Sequence, residues 1–382
     1  MKPEHYRDRE QTAVKHQILE RYLKAFTPII GSWASEIVYV DCLAGPWKSA
    51  TESLEDTSFH RALNVFRNAI RQGRCRVPIR ALLIEKDAVS FEKLNAYAQS
   101  VSDINVRAEN WDFELHIDDI VEFATRKKRA FPFLFIDPKG WELIAIDTIT
   151  PILKIEPGEV LITFMSSWVK RFLPDTTKPF HRLVGQEDLE RLRGLEGDVL
   201  EDELVGAYSK AVRKAGRYEY TCALPILKPD QDAFNFHMIY GTRHPRGVEV
   251  FKEAERNTVT VMHELRADAQ RRRKTESTGQ GFLLTPSETY RESRFSRFRA
   301  ISLQRAHEAM LTKLAEAKNG VTFKALVFEA LQYSVVFKED VVGWIMEKNE
   351  RGDLTIENWT ARQKVPHDNQ VVHWGGRQSP LS

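Results

Sequence analysis

At residues 37–47 the chain reads Ile-Val-Tyr-Val-Asp-Cys-Leu-Ala-Gly-Pro-Trp. The first four residues favour β-structure, which predicts a buried strand that stops at Asp41. A turn at Ala44-Gly45-Pro46 follows. In doubly wound sheets, ligands bind beyond the carboxyl ends of the strands, where glycine lets the backbone approach a ligand closely. The stretch therefore predicts a nucleotide site. Because the full G-x-G-x-x-G pattern is absent, an ordinary strand and turn is the alternative.

Four more short strands are predicted downstream, and each ends in polar residues. They run over 79–84, 104–108, 133–136 and 160–164, and the first three end at Glu85, Glu109-Asn-Trp-Asp112 and Asp137-Pro-Lys-Gly-Trp141. A continuous apolar run, such as 79–84, is typical of a strand covered on both faces. Proline cannot continue a central ladder, so Asp137 is expected at a strand tip. The alternative for Asp137 is a turn-stabilising carboxylate.

Helical periodicity separates these strands, and two alternating segments, 218–226 and 234–240, follow them. This pattern predicts an α/β fold of five βα units followed by an antiparallel hairpin. That order of elements is typical of the class I methyltransferase (Rossmann-like) seven-stranded sheet. We predict a methyltransferase-like domain at 1–262, a basic linker at 263–301, a C-terminal winged-helix-like helical domain at 302–360 and a flexible tail at 361–382. Residues 169–200 show no long period and are expected to form an insertion over the site.

Composition excludes several classes of protein. The 382 residues are 42% hydrophobic and 29% charged, as in ordinary globular proteins. No run reaches the length of a membrane span and the start lacks the apolar core of a signal peptide, so we expect a cytoplasmic protein with no membrane partner. The three cysteines lie far apart without C-x-x-C spacing, which favours neither disulfides nor a metal site.

Positive charge is concentrated in one segment. From His263 to Arg305 there are ten Lys and Arg residues against five Asp and Glu, although the net charge of the chain is only +2. Such a segment permits binding to nucleic-acid phosphates, but a solvated linker is the alternative. The third helix of the winged-helix-like domain carries Lys338 and Lys348 among four acids, so a role in protein docking is at least as well supported there.

A lysine stands in the middle of an apolar helical face near the start of the chain. Ile18, Leu19 and Tyr22 are the i+3, i+4 and i+7 neighbours of Lys15. An unpaired buried ammonium is costly, so Lys15 is expected either to extend to solvent or to meet an anion. The adjacent His16 and the site-like strand that follows favour an anionic partner.

Three motifs together resemble one known family. These are Thr12-Ala-Val-Lys15-His16-Gln-Ile-Leu-Glu-Arg-Tyr-Leu, Tyr39-Val-Asp41-Cys-Leu-Ala44-Gly45-Pro46-Trp47 and Ile136-Asp137-Pro138-Lys139-Gly140-Trp141, with Gly241-Thr-Arg-His-Pro-Arg-Gly-Val-Glu-Val after the hairpin. In this order they resemble the three-Cys-motif partner proteins (TcmP) over nearly the whole chain. The lysine-histidine helix, the acidic glycine turn and the Asp-Pro loop are more distantly similar to large-subunit ribosomal RNA adenine methyltransferases.

The resemblance implies a class I S-adenosylmethionine-dependent methyltransferase fold. Cofactor-binding roles are implied for Asp41, Ala44 and Gly45 at the methionine end, Glu85 at the ribose and Asp112 at the adenine. Catalytic roles are implied for four residues: Asp137, Lys139, Trp141 and Lys15. Asp137 would accept a hydrogen bond from an exocyclic amine, and Trp141 would stack on a flipped base. The amine-methylase pattern D-P-P-Y is not matched, because Lys139 replaces the second proline and the aromatic residue comes one place later.

Two functions follow from these expectations. One is an S-adenosylmethionine-dependent methyltransferase that acts on DNA or RNA at an exocyclic amine of a base. The other is a methyltransferase-like partner subunit, without its own turnover, that binds a separate three-Cys-motif protein resembling a radical enzyme. Binding of the cofactor is expected of the first and is compatible with the second.

Overall fold

The computed structural model describes residues 6–45, 49, 54–278, 293–360 and 362–375. Its contacts divide the chain into two compact units, Met1–Tyr290 and Arg291–Ser382. Within the described part of the chain, no helix combines the length and the apolar composition that a membrane span requires. Cys42, Cys75 and Cys222 are buried free thiols.

The first unit is built on a seven-stranded sheet with the strand order β3-β2-β1-β4-β5-β7-β6. Strands β1 to β5 are parallel, and β7 is antiparallel to both β5 and β6. The strands are β1 Glu36–Asp41, β2 Ile79–Ile84, β3 Asn105–Glu109, β4 Ala130–Ile136, β5 Glu159–Phe164, β6 Tyr220–Leu227 and β7 Phe234–Thr242. The hairpin predicted at the sheet edge is confirmed, and the order is that of a Rossmann-like methyltransferase sheet.

Burial along the strands explains this order. Every residue of β1, β4 and β5 is buried, whereas β3 contains no buried residue and lies at the edge of the sheet. Apolar runs such as Phe-Pro-Phe-Leu-Phe-Ile in β4 gain the most by lying between two helical layers, because both faces are removed from water. The central strands are therefore the most apolar ones.

Helices cover both faces of the sheet. In the first unit they are α1 Glu10–Ile30, α2 Ser58–Arg71, α3 Ala88–Ser100, α4 Ile117–Thr125, α5 Ile146–Leu153, α6 Ser166–Phe172, α7 His181–Val184, α8 Gln186–Arg193, α9 Gly197–Gly216 and α10 Pro245–Thr278, with short 3₁₀ helices at Phe113–His116 and Glu142–Ile144. Two of these helices begin at side-chain caps. The Thr57 side chain accepts a hydrogen bond from the backbone N–H of His60 at the start of α2, and the Asp87 side chain accepts one from the backbone N–H of Ser90 at the start of α3.

The second unit is a separate fold of three helices and a small antiparallel sheet. Its elements in chain order are α11 Arg294–Glu316, β8 Val321–Thr322, α12 Phe323–Leu331, α13 Lys338–Glu350, β9 Leu354–Ile356 and β10 Val371–Trp374, with the strand order β8-β10-β9. Residues from all three helices and all three strands are buried, among them Met310, Leu326, Ile345 and Val372. The unit therefore has a core of its own.

Three predicted segments differ from the structure. Residues 263–278 are not a linker but continue α10, where the Arg272 guanidinium contacts the carboxylate of Glu10 in α1. The predicted tail contains β10, which pairs with β8 and β9. The insertion at 169–200 is mainly helical, because its scattered apolar residues, including Phe180, Leu183 and Leu192, pack into the core. Short helices of this kind give too few turns for a period to be recognised.

Candidate functional site

The strand register brings the three predicted acids to one edge of the sheet. Asp41 is the last residue of β1 and lies level with Leu83 in β2 and Phe135 in β4. Glu85 and Asp137 each come two residues after these partners. Because all three strands run in the same direction, the acids converge at their carboxyl ends.

A cavity of about 790 Å³ opens at this edge. Six of the nine predicted site residues line it: Lys15, Gly45, Glu85, Asp112, Asp137 and Lys139. Apolar side chains of Leu43, Ile84, Phe113 and Leu143 form part of the wall. A large cavity with apolar walls and a few converging polar groups is the usual form of a site for a cofactor or substrate.

Lys15 meets an anion, as the sequence favours. Its ammonium forms an ion pair with the Asp137 carboxylate, and the two side chains are 13% and 21% exposed. The same ammonium lies 5.6 Å from the centre of the Phe236 ring. The contact uses Oδ2 of Asp137, while Oδ1 has no hydrogen-bond partner among the described residues. The pair thus joins α1 to the tip of β4 within the cavity wall.

Asp41 is fully buried behind the cavity rather than in its lining. Its Oδ2 accepts hydrogen bonds from Ser58 at 2.7 Å and from Tyr39 at 3.1 Å, whereas its buried Oδ1 has no partner in the described part of the chain. Burial raises the pKa of Asp41 to about 7; the Asp137 carboxylate adds to the rise, and the hydrogen bonds from Ser58 and Tyr39 oppose it. Asp41 is therefore an acid that titrates near neutral pH.

Glu85 and Lys139 lie on the same side of the cavity. Glu85 is 2% exposed, and its Oε1 accepts a 2.6 Å hydrogen bond from the backbone of Asp87. Burial raises the pKa of this carboxyl, and the ammonium of Lys139 is among the groups that oppose the rise. The ammonium of Lys139, in the loop that follows β4, is therefore close enough to the Glu85 carboxyl to favour its charged form.

Asp112 lines the cavity beyond the end of β3. It precedes a 3₁₀ helix without capping it by a side-chain hydrogen bond, and Lys86 lies 3.7 Å away. The neighbouring Trp111 stacks on His116 with ring centres 4.7 Å apart. The Asp112 side chain therefore does not cap this helix, and its carboxylate lies beside an aromatic wall.

Besides Asp41, two further predicted site residues do not reach the cavity. Trp141 is 2% exposed and packs against Phe180, with ring centres 4.9 Å apart, so the expectation that it stacks on a base is wrong for this conformation. The indole is buried because helix α7 and the segment before it supply an apolar partner. Ala44 is also buried, and its backbone N–H donates to the carbonyl of Ile84, which holds the turn to β2.

A histidine that was not assigned a role also lines the cavity. His16 Nδ1 is 3.0 Å from the Tyr6 hydroxyl, and that hydroxyl oxygen accepts from Arg61 Nε at 2.9 Å. Burial lowers the pKa of His16 well below its usual value, and the positive charges of Lys15 and Arg61 lower it further. The ring is therefore neutral. The Tyr6 hydroxyl can donate to Nδ1 or accept from it, because its oxygen has two lone pairs and Arg61 uses only one.

Arg9 and Asp56 form a second ion pair in the lining. Asp56 has no exposed side-chain surface and also accepts from Ser49 at 2.5 Å. Neither residue stood in a recognisable motif, because the pair joins two segments 47 residues apart. The only signal for His16 in the sequence was its position beside Lys15. Pro46, Trp47 and most of the loop after them lie outside the described residues.

Comparisons with known proteins leave the family open. No family model matches the chain, and no curated protein matches it. Protein LPL1258 from Legionella pneumophila str. Philadelphia 1, titled family-model DUF519, is 11% identical, with 66% of this chain and 92% of that chain covered and a TM-score of 0.39. Loganic acid methyltransferase with SAH is 8% identical, with 71% and 90% covered and a TM-score of 0.28. Similarities this low show neither family nor function, and the methyltransferase-like fold is assigned from the strand order of the sheet.

Proposed function

We propose that the chain is an S-adenosylmethionine-dependent methyltransferase that acts on an exocyclic amine of a nucleic-acid base. One observation carries the proposal: Asp137 lines the same cavity as Gly45, Glu85 and Asp112, at the carboxyl edge of a sheet with the order β3-β2-β1-β4-β5-β7-β6. Ligands of doubly wound sheets bind at this edge. The TcmP resemblance predicts the same site.

The donors and acceptors of the cavity suit such a cofactor. Glu85 would accept from ribose hydroxyls, Asp112 from the adenine amino group, and the wall near Phe113 and Leu143 would cover the base. Gly45 would meet the methionine end of the cofactor, with Asp41 buried behind the turn, and His16 lies in the same lining. When bound, S-adenosylmethionine supplies a methyl group activated by a sulfonium.

The residues of the chain would position the acceptor. Asp137 Oδ1 would accept a hydrogen bond from an exocyclic NH₂, which keeps the nitrogen lone pair directed at the methyl group. Lys15 contacts the other carboxylate oxygen and so fixes the orientation of Asp137. The step needs little acid or base chemistry beyond loss of one amine proton.

The resemblance of the lysine-histidine helix and the Asp-Pro loop to ribosomal RNA adenine methyltransferases supports nucleic acid as the source of the amine. The cavity lining is mixed in charge: cations such as Lys139 and Arg182, which could contact phosphates, stand among carboxylates such as Glu114 and Glu142. The element order of the second unit, helix-strand-helix-helix followed by two strands, supports a winged helix. Its helix α13 is rich in acids, however, so we assign base recognition to the first unit and protein docking to the second.

Calorimetric titration with S-adenosylmethionine tests the cofactor assignment. We expect the intact chain to bind, Glu85→Gln to weaken binding about tenfold, equal to about 1.4 kcal/mol, and Asp137→Ala to retain it. No heat at saturating cofactor would remove the enzyme proposal. Mass spectrometry of nucleosides from host DNA and RNA, with and without the gene, then tests the acceptor: a methylated base should disappear with the gene and with Asp137→Ala.

A second function, the partner subunit, is favoured by two features of the same site. Lys15 already occupies one oxygen of Asp137, and Trp141 is buried where a stacking residue was expected. We propose that such a subunit would bind a three-Cys-motif protein whether or not it transfers methyl groups. Copurification of the two proteins that survives Asp137→Ala, together with unchanged nucleosides, would favour this function over the first.

A further inference from the structure

A second cavity lies at the opposite edge of the sheet. It has a volume of about 320 Å³ and is bordered by the end of α1, the amino ends of β4 and β5, the last residue of β7 and the first turn of α10. Asp41, Glu85 and Asp137 all lie at the carboxyl edge, so this cavity is separate from the site proposed for methyl transfer and plays no part in it.

Aromatic side chains form one wall of this cavity. The Phe131 ring lies 5.6 Å from the ring of Phe26 and 5.6 Å from that of Trp33, the latter pair at 89°. Trp33 is 44% exposed although it is the largest side chain in the wall. An indole in this position leaves aromatic surface available to a ligand at the cavity rim, and Tyr22 adds a fourth ring deeper in the wall.

A buried carboxylate lies in the same lining. Glu159 is 4% exposed; it accepts from the Tyr22 hydroxyl at 2.5 Å and from the Thr242 hydroxyl at 2.8 Å. Tyr240 extends the network, with its hydroxyl 2.6 Å from that of Tyr22. Among the described residues no cation lies within ion-pair distance of Glu159. Burial raises the pKa of Glu159, and the hydrogen bonds from the Tyr22 and Thr242 hydroxyls oppose the rise.

The cations near this cavity are already engaged. The Arg243 guanidinium donates to four backbone carbonyls, those of Leu153, Ile155, Gly158 and Gly216, and lies 4.5 Å from the centre of the Tyr218 ring. Arg246 is exposed and pairs with Glu249 at 2.7 Å. Arg243 moderates the charge of Glu159 only from beyond contact distance. The lining therefore combines aromatic rings with a carboxylate that has no direct counter-ion.

We propose that this second cavity binds a small organic cation, with its ammonium group beside Glu159 and its carbon substituents against Phe26, Trp33 and Phe131. Aromatic rings attract cations through their quadrupole, and the attraction grows when the cation is desolvated. A quaternary or primary ammonium of the size of choline suits the volume. The bound cation would be the direct counter-ion that the Glu159 carboxylate lacks. No proposed methyl-transfer step uses this site.

Calorimetric titration of the intact chain with choline and with its neutral isostere 3,3-dimethylbutan-1-ol tests the proposal. We expect choline to bind and the alcohol to bind at least tenfold more weakly. Glu159→Gln keeps the shape of the side chain but removes its charge, and should weaken choline at least tenfold. Trp33→Leu changes a half-exposed side chain and should also weaken it, while Trp33→Phe should restore part of the affinity.

The exposed Glu122→Gln in α4 is the matched charge control and should leave choline binding unchanged. Circular dichroism checks whether the Glu159→Gln variant folds. If this variant does not fold, the Trp33→Leu variant and the neutral alcohol test the proposal. The proposal fails if choline gives no binding heat at millimolar concentration. It also fails if the alcohol binds as tightly as choline, or if Trp33→Leu binds choline like the unchanged chain.

Discussion

Asp41 shows how one residue can link stability to pH at the candidate site. The carboxyl is completely buried and lies near the carboxylate of Asp137, and both conditions disfavour its charged form. Two hydroxyl donors, Ser58 and Tyr39, do not offset the burial. The folded chain therefore holds this proton up to a higher pH than the unfolded chain does, and stability must depend on pH in that interval.

The first prediction concerns this proton. Between the ordinary pKa of 3.8 and the folded value of about 7, the free energy of unfolding should fall as pH rises. Asp41→Asn removes the titration and should be more stable than the unchanged chain by about 1–3 kcal/mol at pH 8, with little gain below pH of about 4. Urea unfolding at several pH values measures this. The exposed Asp118→Asn variant is the control and should keep the pH dependence of the unchanged chain. If Asp41→Asn also kept that pH dependence, Asp41 would not be the group that titrates.

The ion pair of Lys15 and Asp137 is the second feature at this scale. Both side chains are mostly shielded from water, so the pair should couple more strongly than an exposed one. In a double-mutant cycle with Lys15→Met and Asp137→Asn, we expect a coupling free energy of about 1–3 kcal/mol. The exposed pair of Arg271 and Asp268 should give less than about 1 kcal/mol in the same cycle. Equal couplings would show that burial does not strengthen the inner pair.

Among the elements, α10 depends on one close approach to the sheet. Its glycine at 247 has no room for a side chain: a Cβ there would lie 2.5 Å from the Tyr240 hydroxyl, 2.6 Å from Thr242 Oγ1 and 2.8 Å from Glu159 Oε1. These atoms belong to the hydroxyl network around Glu159. The first turn of α10 can therefore pack on β5 and β7 only when residue 247 lacks a Cβ.

Two glycine substitutions should have opposite effects on stability. Gly247→Ala forces the first turn of α10 away from the sheet and should destabilise the chain by about 1–3 kcal/mol. Gly206 lies inside α9, where a Cβ would meet nothing within 4 Å. Gly206→Ala should stabilise by about 0.5–1 kcal/mol, because alanine loses less entropy on forming a helix. Chemical unfolding of both variants tests the pair, and a destabilising Gly206→Ala would show that helix propensity is not limiting there.

At the scale of the whole molecule, the chain comprises two units with separate cores. The seven-stranded sheet belongs entirely to Met1–Tyr290, and the three-stranded sheet entirely to Arg291–Ser382. Each unit buries its own apolar residues, so neither needs the other to remove its core from water. This division also places the candidate site and the second cavity within the first unit alone.

Independent folding of the units follows from this division. A chain of residues 291–382 should unfold cooperatively on its own, with the steepness in urea expected for its smaller buried surface. Calorimetry of the full chain should show two transitions, one of them at the temperature found for the isolated unit. A fragment without a cooperative transition, or a single transition in the full chain, would mean that the two cores are coupled.

The resemblance and the strand patterns predicted much of this architecture because both depend on local sequence. Buried apolar runs ending at Asp41, Glu85 and Asp137 place three acids at strand tips, and parallel strands bring their tips to one edge regardless of the remaining packing. The hairpin is equally local, since alternating residues flank a polar turn. The insertion at 169–200 was predicted, but its helices were not, because they are too short to show a recognisable period.

Side-chain direction, in contrast, depended on residues far away in the chain. Trp141 follows the Asp137 loop in sequence, yet its indole turns into the core because Phe180 offers an apolar surface there. Lys15 finds its anion 122 residues downstream, and His16 is polarised by Tyr6 and Arg61. Local pattern thus set the strands, their ends and the acids at those ends. Packing between distant segments selected which of these groups face the cavity, because a side chain takes the direction that best removes its apolar surface from water and pairs its charge.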